Sequence, residues 1–137
     1  MTDKNITIVN QLAQLDEVAR VIEIQSDEWG IPMSLSLNLN LVLEELITNI
    51  IFYGYDDKNE HKISIRLSKD DEIIRIQLED DGKEFNPLLL TAPDIDGSIE
   101  DRKIGGLGIF FVRKIMDDIT YLRSEGRNIL TLTKKIA

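Results

Sequence analysis

The chain has 137 residues, 42% of them hydrophobic, enough for one compact domain with one core and too few for a second sizeable one. Its 25 acidic against 16 basic residues leave a formal charge of -9, which repels a phosphate backbone and an anionic membrane surface alike, so neither nucleic acid nor a membrane is expected as a partner. The lack of cysteine excludes disulfides, thiol catalysis and cysteine-ligated metals, and no apolar stretch approaches the ~20 residues of a membrane span, so a soluble cytoplasmic protein is expected.

Residues 5–9 fit a short strand. Leu12, Leu15, Val18, Ala19 and Ile22 then recur at the three- and four-residue steps of an amphipathic helix, which Gly30-Ile31-Pro32 breaks. Residues 34–41 alternate like a strand but run into residues 42–52, too long and too apolar for one. A helix is therefore predicted from about Ser36 to near Gly54, where a glycine free to take positive φ suits a C-cap. Ile63, Ile65 and Leu67, then Ile74, Ile76 and Leu78, form two alternating runs around a polar turn at residues 68–71, a β-hairpin with one buried face. After Glu79-Asp80-Asp81-Gly82 comes a segment with two prolines and little periodicity, predicted as a lid at about 83–104. Gly105-Gly106-Leu107-Gly108 opens a helix carrying Ile109, Val112, Ile115 and Met116, and two last strands, over residues 119–124 and 129–135, meet at a turn over residues 125–128. This order predicts an α+β fold, a two-layer sandwich with helices on one face of a mixed, mainly antiparallel sheet, in a single domain spanning residues 1–137.

The helix LVLEELITNIIFYGY is apolar almost all round, so its polar positions Glu44, Glu45, Thr48 and Asn49 need a reason. Glu45 and Asn49 lie four apart on one stripe, where a carboxylate and an amide oxygen can reach one hydrated hard cation; an exposed glutamate and a capping asparagine are the plainer alternative. Asp80-Asp81-Gly82 ends a strand, a place from which a carboxylate can meet an amino group at a pocket floor, although the same sequence is common in plain turns. The three glycines of Gly105-Gly106-Leu107-Gly108 free backbone N–H groups to face an anion at the helix's positive end, with Arg102 and Lys103 just before; a flexible hinge is the alternative. No GxxxxGK[ST] occurs, which excludes a P-loop. His61, the only histidine, reads as a solvated turn residue, and Trp29, Phe52, Tyr53 and Tyr55 read as packing residues at helix ends.

In this order, Glu-x-x-x-Asn on a helix, Asp-x-Gly after a strand and a Gly-x-Gly helix start resemble the N, G1 and G2 boxes of the GHKL (Bergerat-fold, histidine-kinase-like) ATPases. The stretches EELITNIIFYGY and GGLGIFFVRKIMDDI are especially similar to the anti-sigma factor serine/threonine kinases of that superfamily. The resemblance covers roughly residue 37 to the C-terminus, with the first strand and helix also alike. It implies ATP and Mg²⁺ as cofactors, with Asn49 on Mg²⁺ and Glu45 as the general base toward an attacking serine hydroxyl. It also implies Asp80 on the adenine amino group, Gly82 under the ring, and Gly105, Gly106, Leu107, Gly108 and Lys103 around the phosphates. The chain departs from the pattern in two places: Glu84 stands where a G1 box often ends in glycine, and Ile104 directly precedes Gly105 whereas some of these kinases place an arginine close to the G2 glycines, with Arg102 or Lys103 as the substitute here.

The resemblance implies an anti-sigma-type kinase that phosphorylates a serine on a STAS-like anti-anti-sigma partner, with a sigma factor as a second partner and a homodimer as its assembly. The competing class is a non-catalytic, nucleotide-gated partner-switching module that binds ATP without transferring phosphate; Glu45 favours the first, the missing arginine the second. A detached histidine-kinase half is weaker, since His61 follows the Glu-x-x-x-Asn helix, and a gyrase- or MutL-like ATPase needs a further domain for which this length leaves no room.

Overall fold

The alternating apolar runs pair into one five-stranded sheet of order β1-β2-β3-β5-β4 in a computed structural model that describes residues 2–89 and 106–136. The strands are β1 (Thr2–Val9), β2 (Lys62–Lys69), β3 (Ile73–Asp80), β4 (Asp118–Ser124) and β5 (Arg127–Lys135). All four pairings are antiparallel, so the sheet carries no parallel pair among the described strands and is not mixed as expected. Register places Ile6, Ile65, Leu78, Leu130 and Tyr121 in one row across the sheet. The neighbouring row, Asn5, Arg66, Gln77, Thr131 and Thr120, is polar and faces the other side.

Three helices, α1 (Leu15–Glu28), α2 (Met33–Tyr53) and α3 (Gly106–Ile115), complete the second layer. Val18, Ile22, Leu39, Leu43, Ile47, Ile109 and Val112 from these helices join Ile8, Ile63, Ile65, Ile76 and Leu132 in one buried cluster. Each such side chain contributes roughly 1.5–3 kcal/mol relative to exposure. α1 ends in a Schellman motif: Gly30 takes φ 67, Ile31 N–H donates to the Ser26 carbonyl at 2.8 Å and Gly30 N–H to that of Asp27 at 3.4 Å.

α2 begins three residues before the expected start and includes the stretch that alternates like a strand. Its 21 residues are, by length and composition alone, apolar enough to cross a bilayer, contrary to the sequence expectation. Ser34, Ser36, Asn38 and Asn40 interrupt the run in sequence, yet on a helix they leave an unbroken apolar side. That side, with Leu35, Leu39, Val42, Leu43, Leu46 and Ile47, is buried, while Met33, Leu37 and Leu41 lie exposed.

Two turns differ from expectation. Ser68 belongs to β2 and is buried, and the turn lies beyond it, where the Asp70 carboxylate accepts from Glu72 N–H at 2.8 Å and Ile73 N–H at 2.9 Å. The β4–β5 connection is only Glu125 and Gly126, with φ 51 and 76, the paired positive angles of a tight twisted hairpin turn. Arg127 and Asn128 are therefore strand residues.

Candidate functional site

The C-terminal end of α2, the end of β3 and the β4–β5 hairpin surround a cavity of about 220 Å³ lined mainly by Leu46, Ile50, Tyr53, Leu78, Ile109 and Leu130. Asn49, Asp80, Asn128 and Tyr121 bring polar groups to this apolar lining, the composition expected of a site for a flat organic ligand with a few orienting contacts.

Asp80 is the last residue of β3, and the strand alternation that buries Ile74, Ile76 and Leu78 turns it inward as well; it is 5% exposed. Burial pushes its carboxyl above the usual carboxylate range, partly offset by hydrogen bonds from Asn128 and Gly82. Gly82 N–H donates to Asp80 Oδ1 at 2.8 Å and Asn128 Nδ2 donates to the same oxygen at 3.0 Å. No described residue bonds Oδ2.

The reason for glycine at 82 and 54 is steric and mutual. A Cβ on Gly82 would stand 2.7 Å from the Gly54 carbonyl oxygen, which also accepts from Lys83 N–H at 2.8 Å. Gly54 itself has φ -79, so the expected positive-φ cap is not formed; a Cβ there would stand 2.6 Å from the Ile50 carbonyl. The end of α2 and the loop after β3 thus meet backbone to backbone.

The loop after β3, where the segment read as a lid begins, is bonded to the β4–β5 hairpin. Arg123 donates to the Gly82 carbonyl at 2.8 Å, Asn128 Nδ2 to the Lys83 carbonyl at 2.8 Å, and Phe85 N–H to Asn128 Oδ1 at 3.2 Å. Pro87 is buried in the 3₁₀ turn Pro87–Leu89 that follows. Glu84, the departure from the G1 pattern, lies at the cavity wall.

Glu45 and Asn49 occupy successive turns of α2, and Asn49 Nδ2 donates to Glu45 Oε1 at 3.3 Å, which leaves the Asn49 amide oxygen free of that bond. They face different hollows. Asn49 lines the cavity of Asp80, whereas Glu45 lines a smaller one, about 160 Å³, with Leu41, Val42, Gly108, Phe111, Val112 and Ile115 between α2 and α3. Among the described residues no group of three or more His, Cys, Asp or Glu side chains could hold a metal ion. The donor set suits Mg²⁺, which takes one or two protein ligands and completes its shell with water and substrate phosphates.

Gly106, Leu107 and Gly108 form the first turn of α3. Lys103 and Gly105, like Arg102 and Ile104 and the lid from residue 90 onward, lie outside the described residues.

Sequence reasoning missed the hairpin contribution. Asn128 reads as a turn residue in sequence, yet it faces Asp80 in register and also accepts from the Tyr121 hydroxyl at 2.5 Å. His61 is no solvated residue either: its ring stacks on Tyr55 with centroids 4.0 Å apart and bridges Asp57 at 2.8 Å and Asp81 at 3.3 Å. Phe52 and Tyr53 are about half exposed rather than packed at the helix end.

A family model described as histidine kinase-like ATPase domain matches residues 8–134. The chain is 27% identical over 111 residues to the serine/threonine-protein kinase BtrW of Bordetella bronchiseptica, covering 81% of this chain and 77% of that protein. It is 24% identical over 140 residues to the anti-sigma F factor of Bacillus subtilis, covering 96% and 82%. Among solved structures it resembles the RsbU and RsbW domains of Rv1364c from Mycobacterium tuberculosis, with a TM-score of 0.71 over 99% of this chain at 14% identity. That likeness speaks for the fold alone, and this chain spans about a third, 32%, of the chain it matches. With the family model spanning nearly its whole length over an α+β sandwich of this topology, the chain belongs to the histidine kinase-like ATPase domain family.

Proposed function

We propose that this chain binds ATP with Mg²⁺ in the cavity headed by Asp80 and transfers the γ-phosphoryl group to a serine of a STAS-like anti-anti-sigma protein. A sigma factor is its second, sequestered partner, and it acts in the cytoplasm as a homodimer. The observation that carries this reading is the buried Asp80 at one end of an apolar cavity whose wall holds Asn49, one helical turn from Glu45. The relatives named serine/threonine-protein kinase and anti-sigma F factor support the choice of reaction and partners.

In this reading Asp80 Oδ2 accepts from the adenine amino group, while Oδ1 is held by Gly82 and Asn128. Gly82 keeps the loop against Gly54 and so shapes the edge of the adenine site. The Asn49 amide oxygen binds Mg²⁺, which supplies charge neutralisation across the phosphates. The N–H groups of Gly106, Leu107 and Gly108, at the positive end of α3, face the phosphate oxygens. Lys103 and Gly105 take the same role on the strength of the resemblance. Glu45 takes the proton of the serine hydroxyl as its oxygen bonds the γ-phosphorus, and the bond from that phosphorus to the bridging oxygen breaks to leave ADP. Such a base contributes ~10²–10⁴-fold, and positioning supplies the rest.

Incubation with γ-labelled ATP, Mg²⁺ and a STAS-like protein encoded beside this chain tests the reading. Label on a partner serine is expected. ATP bound with no label transferred overturns the kinase claim in favour of the nucleotide-gated module, and no ATP bound overturns the site itself.

A further inference from the structure

Asn128 uses every hydrogen-bonding position of its carboxamide that the surroundings present. Nδ2 donates to Asp80 Oδ1 at 3.0 Å and to the Lys83 carbonyl at 2.8 Å, and Oδ1 accepts from Phe85 N–H at 3.2 Å and from the Tyr121 hydroxyl at 2.5 Å. The amide orientation is fixed by its neighbours. Reversed, its oxygen would face the Asp80 oxygen and the Lys83 carbonyl, and its NH₂ would face the Phe85 N–H. Asn128 is 7% exposed, so a broken bond here leaves a buried polar group without a partner.

The four partners belong to three different parts of the site. Asp80 ends β3, Lys83 and Phe85 belong to the loop that leads toward residue 90, and Tyr121 is on the edge strand β4. Arg123, the direct cross-strand neighbour of Asn128, adds a bond to the Gly82 carbonyl of the same loop, and Gly54 at the end of α2 holds Lys83 N–H from the other side. The tight Glu125–Gly126 turn fixes the register that puts Arg123 and Asn128 side by side.

We propose that Asn128, held by Tyr121, is a positioning residue for base recognition: it fixes one oxygen of Asp80 so that the other is presented to an exocyclic amino group, and it locks the loop over residues 82–85 to the same frame. The inference rests on the proposed nucleotide site. Asn128 acts through Asp80 and the loop, and need not touch the nucleotide. No other side chain of its size makes two donations and two acceptances in this geometry. An aspartate keeps the shape and the acceptances from Phe85 and Tyr121 but loses both donations, and it sets a second carboxylate against Asp80. That arrangement drives one of the two to take a proton, or turns Asp80 away.

The test compares ATP with inosine triphosphate, in which a carbonyl replaces the 6-amino group, by calorimetric titration with Mg²⁺ on the full chain. Urea unfolding without nucleotide is measured in parallel. Wild type is expected to prefer ATP by about tenfold or more, a loss typical of an unpaired buried polar group. Asn128→Asp is expected to weaken ATP binding about tenfold while inosine triphosphate changes less than about threefold, so the preference collapses. Tyr121→Phe, which removes one hydroxyl at a half-buried position and keeps the fold if Asn128→Asp does not, is expected to lower the preference about two- to fivefold. A purely structural role lowers the urea midpoint but leaves the ATP preference of the folded protein unchanged in both variants, and that result overturns the inference alone. A wild type that binds neither nucleotide, or both equally, removes the reading of Asp80 on which it stands.

Discussion

The side chain of Glu45 fills the space in front of Gly108: a Cβ at position 108 would fall on the Glu45 carboxyl group. The contact ties the first turn of α3 to the middle of α2, so glycine at 108 answers to a neighbouring side chain as well as to any anion. Gly108→Ala should force the Glu45 carboxyl to rotate away, a shift that the far end of a flexible side chain makes cheaply beside the hollow it lines, so stability should stay within about 1 kcal/mol of wild type. Phosphate transfer should nevertheless be lost, because the displaced carboxylate is the proposed base. Urea midpoints and single-turnover labelling of Gly108→Ala decide it. A Gly108→Ala variant as active as wild type would show that the contact constrains nothing.

Asn49 and Glu45 are hydrogen-bonded but line different hollows, so their roles should separate. Asn49→Ala should abolish Mg²⁺-dependent ATP binding. Glu45→Gln, which keeps the acceptor for the Asn49 amide, should bind ATP within about twofold of wild type and transfer phosphate at least ~10²-fold more slowly, the contribution of a positioned base. Equilibrium binding and single-turnover labelling measure the two quantities independently. Normal transfer by Glu45→Gln removes the base assignment.

Asp80 carries a cost in the absence of ligand. Its carboxyl is pushed up by burial from the ordinary value of 3.8, so the ionised form destabilises the fold above the raised value. That cost lifts as pH falls from there toward 3.8. Asp80→Asn keeps an oxygen for Gly82 N–H and Asn128 Nδ2 while removing the buried charge. It should therefore be more stable than wild type at neutral pH, with the difference shrinking as pH is lowered. ATP affinity should fall about tenfold or more, because an NH₂ group then faces the adenine amino group. Thermal melting across pH, with and without ATP, reads both effects. A variant less stable than wild type at neutral pH contradicts the account.

The parts of this fold visible in the sequence are those set by local period. The four-residue step from Glu45 to Asn49 survives on α2, and the alternation through Ile74, Ile76 and Leu78 carries Asp80 inward. What escaped depends on partners far away in sequence. Asn128 meets Asp80 across 48 positions, and nothing local distinguishes an asparagine two places after a turn glycine from a turn residue. The hairpin turn is shorter than its sequence suggests because Glu125, not a glycine, takes φ 51. Gly54 does cap α2, with φ -79 rather than a positive angle, and it is also a surface for Gly82, a contact set by how α2 packs on the sheet. His61 looked solvated because Asp57 and Asp81, its two partners, are themselves exposed acids in turn-like sequence.

His61 offers a pH response opposite in sign to that of Asp57. The Asp57 carboxylate, and then Asp81, hold the imidazole above its ordinary value of 6.5, and both ring nitrogens have a carboxylate acceptor, the pattern of a doubly protonated ring. Because the folded value is the higher one, this contribution to stability is fully present below 6.5 and is lost as pH rises through the folded value. Asp57, lowered from 3.8 first by the His61 hydrogen bond, contributes above 3.8 and loses that contribution as pH falls through its lowered value. The charged groups facing the ring are Asp57 from the loop after α2 and Asp81 from the end of β3, with the Tyr55 ring on its flat side. Wild type should therefore show a urea midpoint that declines as pH rises above 6.5, and His61→Gln, which cannot titrate, should lack that decline. Since Asp81 adjoins Asp80, ATP affinity in wild type should weaken over the same interval and should not do so in the variant. Parallel pH profiles for the two proteins would mean that the bridge contributes nothing to either property.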